Sequence, residues 1–340
     1  MTNIKNDKLP WIEKYRPKNF TDVIDHKEKI NTLTNLIKNN ELCNLIFYGP
    51  SGTGKTSLIL AIAREIYGNT EYKNYILEIN ASDDRGIETV RITINNFVKS
   101  KCDKVKLVIL DECDSMTYDS QRALTLMIEK SAKTTRFCLI CNNINKIVGP
   151  IQSRCVKMRF SNLNPAEIKK KIIQIVSLEN INITDEAIDV LISLEKDFRQ
   201  ILNILQGIYF LYYNDNGNNG NNGNNGNNKY QITSDDIYSY IGKPSTECIN
   251  KVYKTLFTDT FDNGCKILLD MYRSNEWNVE DLIGYLLIKI LNVNINVKQK
   301  TFLIEKLAEI EFRIKMGRET ETQLIYLVSC FQLARQNMNS

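Results

Sequence analysis

Short apolar runs alternate with polar turns and amphipathic stretches from Leu45 to Phe160. Leu45-Ile46-Phe47-Tyr48 reads as a buried strand that breaks into a glycine-rich turn, after which Ser57 to Ala63 begins a helix. Tyr75 to Asn80 is a second strand, and the turn Ala81 to Ile87 opens another helix, with Ser82 or Asp83 as its cap. Val105 to Leu110 is a third, followed at once by Asp111-Glu112-Cys113-Asp114. A helix is predicted from Ser120 to Lys130, a strand from Phe137 to Cys141 ending at Asn142-Asn143, and a last strand from Val156 to Phe160. Upstream, Val23-Ile24-Asp25-His26 leads into a helix from Glu28 to Lys38. Strands alternating with helices predict a parallel sheet in a three-layer α/β core.

From Asn164 the pattern becomes helical throughout. Helices are predicted from Pro165 to Glu179, from a Thr184 cap to Leu194, and from Asp197 to near Tyr213. Asn214 to Asn228 contains only Asn, Gly and Asp. Such a stretch has no apolar area to bury and is expected to be a disordered surface insertion. Residues 229–340 return to helical spacing, with apolar positions repeating through Ile283 to Leu291 and Phe302 to Ile314. The expected division is therefore 1–162, 163–232 and 233–340.

Composition narrows the class. The chain has 340 residues, more than one typical core holds, and its 43% hydrophobic and 25% charged content is that of a soluble globular protein. A net charge of +4 permits a local basic surface without arguing for nucleic acid by itself. No apolar run approaches ~18 residues, so no membrane span is expected. Met1 to Asp7 lacks the apolar stretch of a secretory signal. The nine cysteines are scattered, which fits reduced thiols in the cytosol or nucleus. Cys138 and Cys141 have metal-like spacing, but positions three apart on a strand face opposite ways. No second pair or nearby histidine completes a site, so both read as core thiols. His26, the single histidine, reads as a surface or helix-start residue.

The chemistry centres on Gly49-Pro50-Ser51-Gly52-Thr53-Gly54-Lys55-Thr56, which sits between the first strand and its helix. That context marks a phosphate-binding loop. Gly52 and Gly54 let backbone N–H groups turn inward around a phosphate, and the helix presents its positive end to the same anion. Lys55 reaches the β- and γ-phosphates, and Thr56 ligates magnesium. Asp111 and Glu112 end an apolar strand, where packing gives acids no reason to be. Asp111 would hold magnesium and Glu112 would orient and deprotonate the attacking water. Asn142 would bond the γ-phosphate or that water, or be an ordinary strand-end turn residue. Arg154 is either surface charge or an arginine finger. Trp11 to Pro17 reads as an arm packed on the domain surface.

Together these segments resemble the small subunits of eukaryotic replication factor C, the clamp loader, within the AAA+ ATPases. The resemblance rests on Trp11-Ile12-Glu13-Lys14-Tyr15-Arg16-Pro17, Phe47 to Thr56, Asn80 to Ile87, Asp111 to Met116, and Ile151-Gln152-Ser153-Arg154-Cys155. It runs from about Leu9 to Arg335, apart from the Asn/Gly insertion. It implies an AAA+ core, a small helical lid and an all-helical C-terminal collar that assembles a hetero-pentamer. It further implies binding of ATP with Mg2+, a sliding clamp (proliferating cell nuclear antigen) and primer–template DNA as partners, and a nuclear location without membrane attachment. By resemblance Trp11, Tyr15, Arg16 and Pro17, with Val23 and Ile24, surround the adenine, and Gly49 to Ser57 surround the phosphates. Asn80 restrains Glu112 until DNA binds. Asn142 and Arg199 are the two sensors, and Arg154 acts in trans on a neighbour's ATP. Arg85, Gly86, Ile87, Arg91 and Lys146 face the DNA backbone. Ser51 stands where the family usually has proline and Cys113 where it has alanine. Lys196 and Gln200 flank Arg199 in place of glycine and arginine. Two other readings compete, a branch-migrating or strand-separating AAA+ motor and a subunit that binds nucleotide without turning it over. A motor would need a wedge hairpin or winged-helix domain, and the retained Lys55, Asp111 and Glu112 speak against the second.

Overall fold

The computed structural model describes residues 9–39, 41–82, 87–214, 230–275 and 277–336. Arg85 and Gly86, and residues 215–228 of the Asn/Gly segment, lie outside the described residues. The chain divides into two units. One comprises the residues up to Ile181 with Leu191–Gly207; the other comprises Asn182–Val190 and the chain from Ile208 onward.

The first unit opens with a short helix α1 (Trp11–Lys14) and helix α2 (Lys27–Lys38). Five strands and their crossovers follow: β1 (Leu45–Tyr48), α3 (Lys55–Tyr67), α4 (Tyr72–Tyr75), β2 (Ile76–Asn80), α5 (Ile87–Lys99), β3 (Lys106–Asp111), α6 (Tyr118–Lys130), β4 (Thr135–Cys141), α7 (Gly149–Gln152) and β5 (Val156–Arg159). All pairings are parallel, in the order β2-β3-β4-β1-β5. The register sets Asn80 opposite Asp111 and Tyr48 opposite Cys141, so the ends that carry chemistry meet along one edge of the sheet.

Alternation along each strand fills both faces, as expected for a sheet covered by helices on two sides. Leu45 and Phe47 pack with Leu58, Ile59 and Ile62 of α3. Ile46, Val108 and Leu139 pack with Ile94 of α5 and with Leu124 and Ile128 of α6. Cys138 belongs to the first layer and Cys141 to the second, as their spacing predicts. Every cysteine is a free thiol. Burial pushes Cys141 up to about 12, so it is a packing residue and not a nucleophile.

The sheet is as predicted apart from its margins. The last strand stops at Arg159, and the Phe160 ring is buried against Phe47, 5.1 Å between ring centres. His26 departs further from expectation. It does start the helix, at the N-cap of α2 with φ of 63°, but it is 5% exposed and not at the surface. Asp25 and His26 both take positive φ, and the tight turn swings the imidazole edge-on to Phe160, 4.9 Å between ring centres.

Burial lowers the His26 pKa from its ordinary 6.5, and the Lys29 ammonium adds to the lowering while Asp25 opposes it. The unfolded chain therefore takes up this proton first as pH falls below 6.5. The stability from the neutral ring is complete above that value and is lost on acidification through it. Denaturant unfolding at roughly pH 7.5 and 5.5 should show wild type losing more stability than His26→Gln. Equal losses would mean that the ring is not held neutral.

Helix α8 (Pro165–Leu178), helix α9 (Asp185–Leu194) and helix α10 (Phe198–Tyr209) follow, the last running on as a π turn to Asn214. In the second unit two short strands, β6 (Asn182–Ile183) and β7 (Gln231–Ile232), pair in parallel; the helical pattern hid them. Tyr212 and Tyr230 stack at 4.3 Å between ring centres, and both hydroxyls donate to Asp236 Oδ1. The chain then forms α11 (Ser234–Ile241), α12 (Thr246–Thr258), α13 (Phe261–Asn275), α14 (Val279–Asn292), α15 (Val297–Lys315) and α16 (Thr320–Gln336). Helices α12 to α16 share one core that includes Leu282, Leu286, Leu303, Leu324 and Phe331. No helix among the described residues is long and apolar enough to cross a membrane.

Candidate nucleotide-binding site

The loop after β1 takes its shape from three glycines with positive φ: Gly49 at 145°, Gly52 at 68° and Gly54 at 88°. A Cβ on Gly49 would lie 2.0 Å from the Phe160 carbonyl oxygen, and one on Gly52 would lie 1.9 Å from Asp197 Oδ1. Only glycine fits either place. The Thr53 hydroxyl donates to the Pro50 carbonyl at 2.9 Å and fixes the turn. Gly54 caps α3, whose apolar side is buried in the sheet, so the helix points its N-terminal N–H groups into the loop.

Lys55 is 7% exposed. Its ammonium donates to the carbonyls of Gly49 at 2.8 Å and Pro50 at 2.6 Å, and to Asn142 Oδ1 at 3.2 Å. Burial lowers its pKa from the ordinary 10.5; Asp111 opposes that shift and Arg199 adds to it. A cation kept from water next to a second cation gains from an anion placed between them. Thr56 Oγ1 donates to Asp111 Oδ2 at 2.6 Å. The neighbouring Asp111 Oδ1 accepts from the Glu112 N–H at 2.9 Å. Glu112 adopts φ of 54°, a left-handed conformation that turns the chain out of β3 into a short 3-10 turn.

A cavity of about 360 Å³ opens over the loop. It is lined by Tyr15, Arg16, Pro17, Val23 and Ile24 from the N-terminal arm, by Gly52, Thr53, Gly54, Thr56 and Ser57 from the loop and the start of α3, and by Arg199 of α10. Asn80 and Asp111 also reach its wall. Trp11 does not. It is buried, edge-on to Tyr15, and its backbone N–H donates to Gln206 Oε1 at 3.0 Å. Gly49, Pro50 and Asn142 are off the wall and are joined to the site through Lys55, and Ser51 is an exposed loop residue. The periodicity gave no sign of Leu163, Phe198 and Leu202, which add an apolar wall. Leu163 precedes α8 while Phe198 and Leu202 are a turn apart on α10, and the two segments converge only in the fold.

The donor set fits a nucleotide with a hard divalent cation. Among the described residues no group of three or more His, Cys, Asp or Glu could hold a metal ion. Magnesium needs none, since it takes one or two protein oxygens and completes its shell with phosphates and water. Thr56 and Asp111, already joined by a hydrogen bond, would supply that pair.

Other expected residues lie elsewhere. The Asn80 side-chain oxygen accepts from Ser82 N at 3.0 Å and Ser82 Oγ at 2.9 Å, and no hydrogen bond joins Asn80 to Glu112 among the described residues. Arg154 is outside the cavity, donating to the Pro150 carbonyl at 2.8 Å and ion-paired with Glu129 of α6. Arg91 on α5 and Lys146 are exposed, and Ile87 begins α5.

Comparison with known proteins gives two family matches, the AAA family of ATPases associated with various cellular activities over residues 45–163 and the replication factor C C-terminal domain over 244–330. The chain is 39% identical to probable replication factor C subunit 5 of Dictyostelium discoideum, covering 97% of this chain and 92% of that protein. It is 38% identical to replication factor C subunit 3 of Schizosaccharomyces pombe, covering 94% and 90%. It is 34% identical to replication factor C subunit 5 of Homo sapiens, covering 98% and 94%. Among solved structures, the RuvB Holliday junction branch migration motor of Thermotoga maritima matches with a TM-score of 0.53 at 16% identity, over 72% of this chain and 80% of that one. At that identity the likeness is one of fold.

Proposed function

The chain belongs to the replication factor C small-subunit family of AAA+ ATPases, and from that premise we propose that it hydrolyses ATP to help open a sliding clamp and load it onto primer–template DNA. It is an ATPase subunit of the clamp loader. The finer roles are our reading. The observation that carries them is the Thr56–Asp111 pair beside Lys55 and Glu112, which joins the carboxyl ends of β1 and β3 on either side of β4.

In this reading the adenine lies against Tyr15 to Pro17, Val23 and Ile24, and the phosphates lie over Gly52 to Ser57. Thr56 and Asp111 hold Mg2+, which neutralises charge on the β- and γ-phosphates. Glu112 orients and takes a proton from the attacking water. Lys55, Asn142 and Arg199 act on the γ-phosphate, and Asn80 restrains Glu112 until DNA binds. Arg154, away from its own cavity, acts on the ATP of an adjacent subunit. Arg85, Gly86, Ile87, Arg91 and Lys146 follow DNA phosphates without reading bases. The division at 1–162, 163–232 and 233–340 separates nucleotide-binding, lid and collar functions. The remaining partners are the other subunits of a hetero-pentamer and proliferating cell nuclear antigen, in the nucleus.

The likeness to a branch-migration motor invites a second reading. Against it, the described residues between Ser234 and Gln336 form helices α11 to α16 and supply neither wedge hairpin nor winged helix. The test is a loading assay with the purified complex that contains this chain. Clamp should be retained on primed circular DNA only when ATP is supplied. ATP-driven strand separation or branch migration, with no retained clamp, would favour the motor.

A further inference from the structure

The wall that faces the base is tied to the lid helices through one carboxylate. Glu179 caps the C-terminus of α8, and its side chain is 13% exposed. Its Oε1 lies 2.7 Å from the Lys14 ammonium and accepts a hydrogen bond from the Tyr15 hydroxyl. Lys14 ends α1 and Tyr15 follows it, and Tyr15 lines the cavity. The same short helix is fastened at its other end, where the Trp11 N–H donates to Gln206 of α10. Helix α10 also carries Arg199, which lines the same cavity. The segment that carries Tyr15 is therefore fastened to both α8 and α10, and α10 itself lines the cavity through Phe198, Arg199 and Leu202.

A mostly buried carboxylate that accepts from a phenol and a cation at once makes charge-assisted contacts, which are shorter and stronger than neutral ones. Removing it would take from the Tyr15 hydroxyl and the Lys14 ammonium a mostly buried, charged acceptor that they share. The Tyr15 ring would then lose its fixed orientation, while the phosphate loop, whose geometry rests on Gly49, Gly52, Thr53 and Phe160, would not.

We propose that Glu179 is a positioning residue for the nucleotide base, holding Tyr15 against the cavity and joining the base-binding wall to α8. The proposal rests on the cavity being the ATP site. Its consequence is selective: ligands with a base sense Glu179, and a base-free polyphosphate does not.

The test measures equilibrium binding of ATP and of inorganic tripolyphosphate, each with magnesium, to the full chain. Glu179→Ala should weaken ATP binding about tenfold, the scale of one lost charge-assisted contact, and leave tripolyphosphate unchanged. Glu179→Gln keeps an acceptor for the Tyr15 hydroxyl and should recover most of the ATP affinity. Tyr15→Phe should match Glu179→Ala, and the double variant should be no weaker than either alone, because both remove the same contact. Tyr15→Phe deletes one oxygen and decides the matter if Glu179→Ala fails to fold. Equal losses for both ligands, no loss for ATP, or additive losses in the double variant would overturn the proposal. If wild type binds tripolyphosphate but not ATP, the cavity assignment falls and takes the proposal with it.

Discussion

Arg154→Ala should leave ATP binding by this chain intact and cut hydrolysis by the adjacent subunit by one or more orders of magnitude. The expectation starts from where Arg154 lies. Its guanidinium is outside the cavity lined by Thr56 and Asp111, on the turn after α7, where it donates to the Pro150 carbonyl and the Ser153 hydroxyl and pairs with Glu129. An exposed ion pair of this kind contributes little, on the order of 0–1 kcal/mol, so losing it should not unfold the domain. A planar cation delivered to a transferring phosphoryl group is a far larger effect, ~10³–10⁵ in rate where such fingers have been measured. The assembled complex is needed, with the catalytic glutamate of every other subunit silenced. In one version only this chain can hydrolyse; in the other, only the neighbour that Arg154 faces. The loss should appear in the second version and not the first. A loss confined to the first would place Arg154 in cis.

Lys55→Ala should reduce nucleotide binding at this subunit about 100-fold or more. The ammonium is nearly buried and is held by two loop carbonyls and Asn142, at the point where the loop glycines turn inward. Hydrogen bonds to charged groups contribute roughly 1.5–3 kcal/mol each, and a lysine that reaches two phosphates makes two of them. Two such bonds correspond to about a 100-fold change or more in the binding constant. Alanine keeps the helix, since α3 is anchored by Leu58, Ile59 and Ile62 in the sheet core. Titration of a fluorescent ATP analogue into the full chain measures the effect. Affinity equal to wild type would remove Lys55 from the site.

The sheet was legible because its strands are continuous apolar runs and its turns carry glycine and acid at fixed spacing. The phosphate loop, the Asp111-Glu112 strand end and Asn142 could all be placed from those signals, and the fold brings Lys55 to Asn142 and Thr56 to Asp111. The motifs Thr135 to Asn142 and Ile310 to Arg313 most resemble the subunit called five in humans and three in budding yeast, and relatives named subunit 5 and subunit 3 match nearly the whole chain.

What was illegible depends on contacts between distant segments. His26 looks polar in sequence, and only the ring of Phe160 makes its burial visible. Lys106 begins a strand yet is 2% exposed, because its ammonium donates to the carbonyl of Phe97 and the hydroxyl of Ser100 at the end of α5. Trp11 carries an aromatic ring suited to a base, but the ring is buried edge-on to Tyr15, with the backbone N–H held by Gln206, and does not line the cavity. The apolar lining pairs Phe198 and Leu202, one turn apart on α10, with Leu163 from before α8, and only the fold brings those two segments to one cavity.

An ATPase subunit of a mixed clamp-loading assembly should purify with its different partner subunits bound. Native mass spectrometry of the complex purified through a tag on this chain tests that most directly. The account predicts one copy of this chain together with four different subunits. A ring built from many copies of this chain alone would contradict it.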